Sequence, residues 1–228
     1  MNGYLKPWQI RGFLSLILIF GVILAWNLKT KAETKPSLAI LPFFVERVEN
    51  PARGAVLCPL CKGVYQSGQV LPGSQNTLTR LLYQRMEALG TFKVLPLEKV
   101  EKVLTPSVKE QFEQKPIPSS IQMGKELDAD FILVGYLFRF EERIGSRIGA
   151  ERPASVGFDV HLLRLRDQKR VWDGKFDETQ RPLSENILKI GSFFRRQASW
   201  LSAEELASVG MDEMLKKLPG LKELEEGL

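Results

Sequence analysis

The sequence predicts an α/β fold: a mixed sheet containing an antiparallel meander, flanked by helices and preceded by an N-terminal signal or anchor helix. Three observations predict it. Phe131 to Phe140 is a run that is apolar on both faces, as a central strand requires. Amphipathic helical patterns alternate with short apolar runs before it. Two strands of alternating pattern follow it after tight turns, which makes a meander.

Ser37 to Val45 reads as the first strand, with Pro42 marking its end or an edge because proline cannot donate to a ladder. Residues 47–73 hold so many Pro and Gly residues that they read as one long loop. Loops of this length in a compact domain are usually functional or disordered. Ser74 starts a helix on Leu78, Leu81, Leu82, Met86 and Leu89, and Gly90 sits where a helix C-terminus needs a left-handed residue. Phe92 to Pro96 is a short strand and Leu97 to Leu104 a short helix, while Thr105 to Pro118 reads as a polar connection. Ser119 or Ser120 should cap a helix running to Asp128.

After the central strand, Gly145 to Pro153 reads as a turn and Ala154 to Asp167 as a strand with Val156, Phe158, Val160 and Leu162 on one face. Asp167 to Arg170 turns the chain into Val171–Asp177. Leu183 to Arg196 and Ser202 to Leu218 are helix candidates; Ser202 with Glu205 has capping-box spacing, and Pro219-Gly220 stops the second.

The N-terminus carries a different signal. Lys6 and Arg11 precede an uncharged run from Gly12 to Leu28, closed by Lys29 and Lys31. A basic start followed by an apolar stretch predicts a secretory signal or an uncleaved membrane anchor. Residues 1–32 are assigned that role and residues 33–228 a single envelope domain, with C-terminal helices at about 183–218. No cysteine stands near the end of the run, which argues against lipid attachment. The segment predicts a domain outside the cytoplasm, membrane-anchored or secreted to the periplasm.

The net charge is +5, and four of those charges lie in residues 1–32, which hold no acidic residue. The rest of the chain is about +1, so the basic balance is no argument for nucleic acid, which would need a basic patch on the folded domain.

Ala39-Ile-Leu-Pro-Phe43, Phe92-Lys-Val-Leu95, Gly124-Lys-Glu-Leu-Asp-Ala-Asp-Phe-Ile-Leu-Val-Gly135, Leu163-Arg-Leu-Arg-Asp167 and the return Val171-Trp172 occur in an order that is recognisable. Over residues 37–180 the pattern resembles the envelope α/β domain shared by the amino-terminal domain of TolB, the curli-secretion lipoproteins, and lipoprotein activators of penicillin-binding proteins. The resemblance implies an envelope fold and the binding of a protein or cell-wall partner. It does not transfer a secretion channel, since no segment reads as a pore-forming hairpin.

Cys58-Pro-Leu-Cys61 is the one local motif with chemistry. It is open to three readings: a small disulfide or inert thiols, half of a metal site, or a redox pair. Zinc takes four ligands, and with two cysteines and a single histidine in the chain, carboxylates or a second chain would have to contribute. A thioredoxin-type motif should open a helix, and Pro and Gly surround this one. Haem attachment needs a histidine where Lys62 stands. His161, within a predicted strand among apolar neighbours, reads as a structural histidine. Gly145-Ser-Arg-Ile-Gly149 matches no phosphate-binding loop. Phe193, Phe194, Arg195, Arg196 and Trp200 form a candidate partner surface, against the plainer reading of an amphipathic helix packed on the core.

No cofactor-binding or catalytic constellation emerges. The leading expectation is a non-catalytic envelope protein bound to a protein or cell-wall partner and to the membrane through residues 12–28. The alternative is an envelope thiol-redox or metal-binding factor using Cys58 and Cys61.

Overall fold

The computed structural model describes residues 35–46, 54–181 and 199–226. The Gly12–Leu28 run, the Leu183–Arg196 helix candidate, and Phe193, Phe194, Arg195 and Arg196 lie outside them. Among the described residues no helix is long and apolar enough to cross a membrane.

The fold is mixed α/β with helices flanking a mixed sheet, as expected. The strands of the main sheet are β1 (Ser37–Ile40), β2 (Phe44–Val45), β5 (Lys93–Val94), β6 (Phe131–Glu141), β9 (Ser155–Arg164) and β10 (Lys169–Thr179). Their order is β10-β9-β6-β1-β5, with β2 also paired to β6. β1 runs parallel to both β5 and β6, whereas β6, β9 and β10 form the antiparallel meander. The first strand is interrupted at Leu41–Phe43, where Pro42 breaks the ladder before β2.

β6 is central because both its faces are apolar. Phe131, Leu133 and Leu137 enter one core; Ile132, Val134, Tyr136 and Phe138 enter the other. The first core is covered by α1 (Ser74–Leu89), α5 (Ala203–Leu215) and α6 (Leu221–Glu226), through residues such as Leu78, Leu82, Leu206, Met211 and Leu224. The second is covered by α2 (Leu97–Val103), α3 (Pro106–Gln114) and α4 (Pro116–Glu126), through Val100, Phe112 and Met123.

Gly135 sits mid-strand on the first face, and the ring of Phe43 lies in the space its missing side chain leaves; a Cβ there would stand 2.6 Å from Phe43 Cε1. Gly90 closes α1 at φ 65°, and Ser202 with Glu205 completes the capping box of α5.

Four expectations need correction. Residues 47–73 are not one loop: β3 (Ala55–Leu57) and β4 (Val64–Gln66) form an antiparallel hairpin within them. Thr105–Pro118 is not a connection but contains α3, whose N-cap Thr105 accepts from the Val108 N–H. The next helix begins at Pro116 rather than at Ser119 or Ser120. Proline suits the first helical turn because its missing N–H would be unsatisfied there anyway, and Ser120 Oγ donates back to the Pro116 carbonyl at 2.6 Å. The Gly145–Pro153 turn is a small hairpin of β7 (Ile144–Gly145) and β8 (Ala150–Arg152).

Candidate functional site

The β3–β4 hairpin is a separate two-stranded sheet lying on the second face of the main sheet. Its alternation decides how it sits. Val56 and Tyr65 face inward and are buried, while Leu57 and Val64 face outward. Tyr65 stacks on Phe138 of β6, with ring centroids 4.0 Å apart.

The turn between the two strands is Cys58-Pro-Leu-Cys61-Lys-Gly63. It closes through Cys58 N–H to Gly63 O at 2.9 Å and Lys62 N–H to Cys58 O at 3.0 Å. Lys62 takes the left-handed conformation at φ 62°, a position that favours glycine. The turn curls its amides around sulfur. Leu60 and Cys61 N–H point at Cys58 Sγ at 3.3 and 3.4 Å, and Gly63 N–H at Cys61 Sγ at 3.2 Å. Gly63 permits that approach, since a Cβ there would stand 3.1 Å from Cys61 Sγ.

Opposite the turn, β9 presents Asp159 and His161. Two apart on a strand, they share a face, and it is the face under the hairpin. Ligand-type atoms of Cys58, Cys61, Asp159 and His161 all lie within 4.8 Å of one another. Cys58 Sγ is 3.3 Å from His161 Nε2, His161 Nε2 is 3.1 Å from Asp159 Oδ2, and Asp159 Oδ2 is 3.7 Å from Cys61 Sγ. Cys58 and Asp159 are fully buried, His161 nearly so, and Cys61 half-buried. Both cysteines are free thiols.

A second tier orients the first. Asp173, directly across from His161 in the β9–β10 ladder, holds His161 Nδ1 at 2.6 Å from its Oδ1. Arg170 bridges this carboxylate and the turn, with Nε 3.0 Å from Asp173 Oδ1 and Nη1 donating to Leu60 O at 3.0 Å. Lys175 Nζ donates to Val64 O and sits 4.2 Å from the centre of the Tyr65 ring.

The electrostatics follow from dry packing. Burial, and then the Asp159 carboxylate, push the Cys58 thiol well up. Burial works to lower the His161 imidazole, but the carboxylates of Asp159 and Asp173 outweigh it and raise it. Burial works to raise Asp173, and His161 and Arg170 outweigh it and bring it down. Asp159 Oδ1 is buried with no hydrogen-bond partner, an expensive state for a carboxylate oxygen.

Of the residues singled out from sequence, Cys58 and Cys61 are here, joined by His161. Trp200 is half-buried elsewhere; its N–H donates to Arg147 O at 2.8 Å, beside the β7–β8 turn. Sequence reasoning missed Asp159 and Asp173. The available signal was the Asp159-x-His161 pair, two polar residues at strand spacing inside an otherwise apolar strand.

No family model and no curated protein matches the chain. Solved structures do. A PelC dodecamer from Paraburkholderia phytofirmans is 10% identical, with 82% of this chain and 89% of that chain covered and a TM-score of 0.45. The hypothetical protein CT253 from Chlamydia trachomatis is 12% identical over 81% of this chain and 96% of that one, TM-score 0.46. The LpoB C-terminal domain from Salmonella enterica is 13% identical over 68% and 92%, TM-score 0.37.

Proposed function

We propose that this is a non-catalytic cell-envelope protein, tethered or targeted by residues 12–28, whose extracytoplasmic domain binds another envelope protein. The observation that carries the binding role is the outer face of the β3–β4 hairpin. Leu57 and Val64 stand directly opposite each other in its ladder, 55% and 59% exposed. Single exposed apolar residues are ordinary, but a cross-strand pair on a hairpin pinned from below is a preformed contact patch. The hairpin is held at both ends: the Cys58–Gly63 turn packs over β9, and Gln66 at its base receives Arg139 Nη1 on its carbonyl at 2.7 Å. Such rigidity lowers the ordering cost of binding.

The full chain, carrying a photo-crosslinking side chain in place of Leu57, tests this in cells. One discrete adduct is expected, abolished when Val64→Glu is added to a protein that still folds. Adducts that are absent, or equally strong from a position on the exposed face of α1, would overturn the reading.

A further inference from the structure

We propose that Cys58, Cys61, Asp159 and His161 form a closed zinc site that clamps the β3–β4 hairpin to β9. This goes beyond the partner-binding reading and does not depend on it.

The hydrogen-bond ledger points to a cation. Asp173 accepts at His161 Nδ1, so in the neutral imidazole the proton lies on Nδ1 and Nε2 presents a lone pair. That lone pair faces Asp159 Oδ2 at 3.1 Å and Cys58 Sγ at 3.3 Å, both of them acceptors when ionised. An imidazole lone pair and a carboxylate oxygen 3.1 Å apart repel each other, and either a proton shared between them or a metal ion resolves the contact. A proton leaves Asp159 Oδ1 buried without a partner and the Cys61 thiol donating to Asp159 Oδ2 only at 3.7 Å. A metal ion uses all four side chains.

The spacing and the donor set agree with zinc. A tetrahedral zinc with bonds of about 2.0–2.3 Å separates neighbouring ligand atoms by about 3.3–3.8 Å. Of the six separations among the four ligand atoms, three are 3.1, 3.3 and 3.7 Å, and all six lie within 4.8 Å. Two sulfurs, one imidazole and one carboxylate suit zinc and disfavour the hard cations, which take oxygen. The backbone amides aimed at both sulfurs would stabilise the thiolates, and Asp173 plays the outer carboxylate that fixes a zinc-bound imidazole. On binding, the two thiols release their protons to solvent and His161 coordinates through the Nε2 lone pair, with no change in oxidation state. Four protein ligands leave no open position, which makes the site structural rather than catalytic.

The test uses the full chain purified in detergent under reducing conditions. Elemental analysis should find zinc in one-to-one ratio with protein, and Cys58→Ser with Cys61→Ser should lose it. Replacing zinc by cobalt(II) should give the visible bands of a tetrahedral ion and a thiolate-to-metal charge-transfer band. That readout needs no variant, so it holds even if the double substitution misfolds. Asp173→Asn should weaken affinity by about 10–100-fold while leaving the cobalt spectrum tetrahedral. Three outcomes would overturn the proposal: reduced protein that neither contains nor binds zinc, a native mass showing a Cys58–Cys61 disulfide, or cobalt bound without a charge-transfer band.

Discussion

Arg139 Nη2 lies 2.8 Å from Asp177 Oδ1, and the guanidinium that makes this ion pair is only 2% exposed. The pair reaches from β6 across to β10. The same guanidinium also donates to Ser155 Oγ and to Gln66 O, and Asp177 Oδ2 accepts from Gln66 N–H. One buried charge thereby ties three strands of the main sheet to the base of the hairpin. Asp177→Asn keeps the shape and removes the charge, leaving Arg139 buried without its counter-ion. We expect a loss of about 2–3 kcal/mol, because truncating a hydrogen bond to a charged group in a buried setting costs that much. Urea unfolding measures it; an unchanged midpoint would mean that the other acceptors satisfy the guanidinium alone.

Gly135→Ala should destabilise the domain by about 1–3 kcal/mol, the usual cost of overpacking. The new methyl would meet the Phe43 ring, which already packs edge-on against Phe158 with centroids 6.1 Å apart. Combining it with Phe43→Leu, which gives the methyl room, should recover part of the loss. Thermal melts of the single and double variants decide the matter, and additive losses would refute the close-packing account.

Ser202→Ala should cost about 1 kcal/mol, as loss of an N-cap generally does. Ser202 Oγ accepts from Glu205 N–H at 3.2 Å, and Ser202 N–H donates to Glu205 Oε2 at 2.8 Å. The Ser202 N–H holds the Glu205 carboxyl below its usual range, and Arg147 adds to this. A carboxylate depressed in the folded state stabilises it above the unfolded pKa, and that contribution fades as pH falls through the folded value. The difference between Glu205→Gln and wild type should therefore be present at neutral pH and shrink below about pH 4. A difference independent of pH would exclude this role.

An alkaline phosphatase fused after Leu228 should be active, since residues 1–32 are expected to send the domain across the membrane. Deletion of residues 1–32 should abolish that activity and release the domain from membranes. A fusion that works only with a cytoplasmic reporter would reverse the assignment of sides.

The sequence by itself determined the α/β class, the central strand, the meander, α1 and the α5 capping box. Each of these is written in neighbours along the chain: Phe131–Phe140 apolar on both faces, Leu78 and Leu82 at helical spacing, Ser202 three residues before Glu205. Local signals also misled. Pro and Gly between residues 47 and 73 read as loop, yet Pro59 and Gly63 stand in the tight turn of a hairpin; Thr105–Pro118 read as a polar connection, yet Pro106 and Pro116 stand in first helical turns, where a missing N–H costs nothing. Only the tertiary structure decided the cluster. Cys58 lies 103 residues from His161, and His161 meets Asp173 through strand pairing rather than sequence. That the lone histidine would face two thiols and a buried carboxylate depended on which face of the sheet the hairpin covers. No local pattern encodes that choice: it is made when Val56 and Tyr65 are buried against β6 and β9, and the polar groups beneath must then satisfy one another or hold an ion.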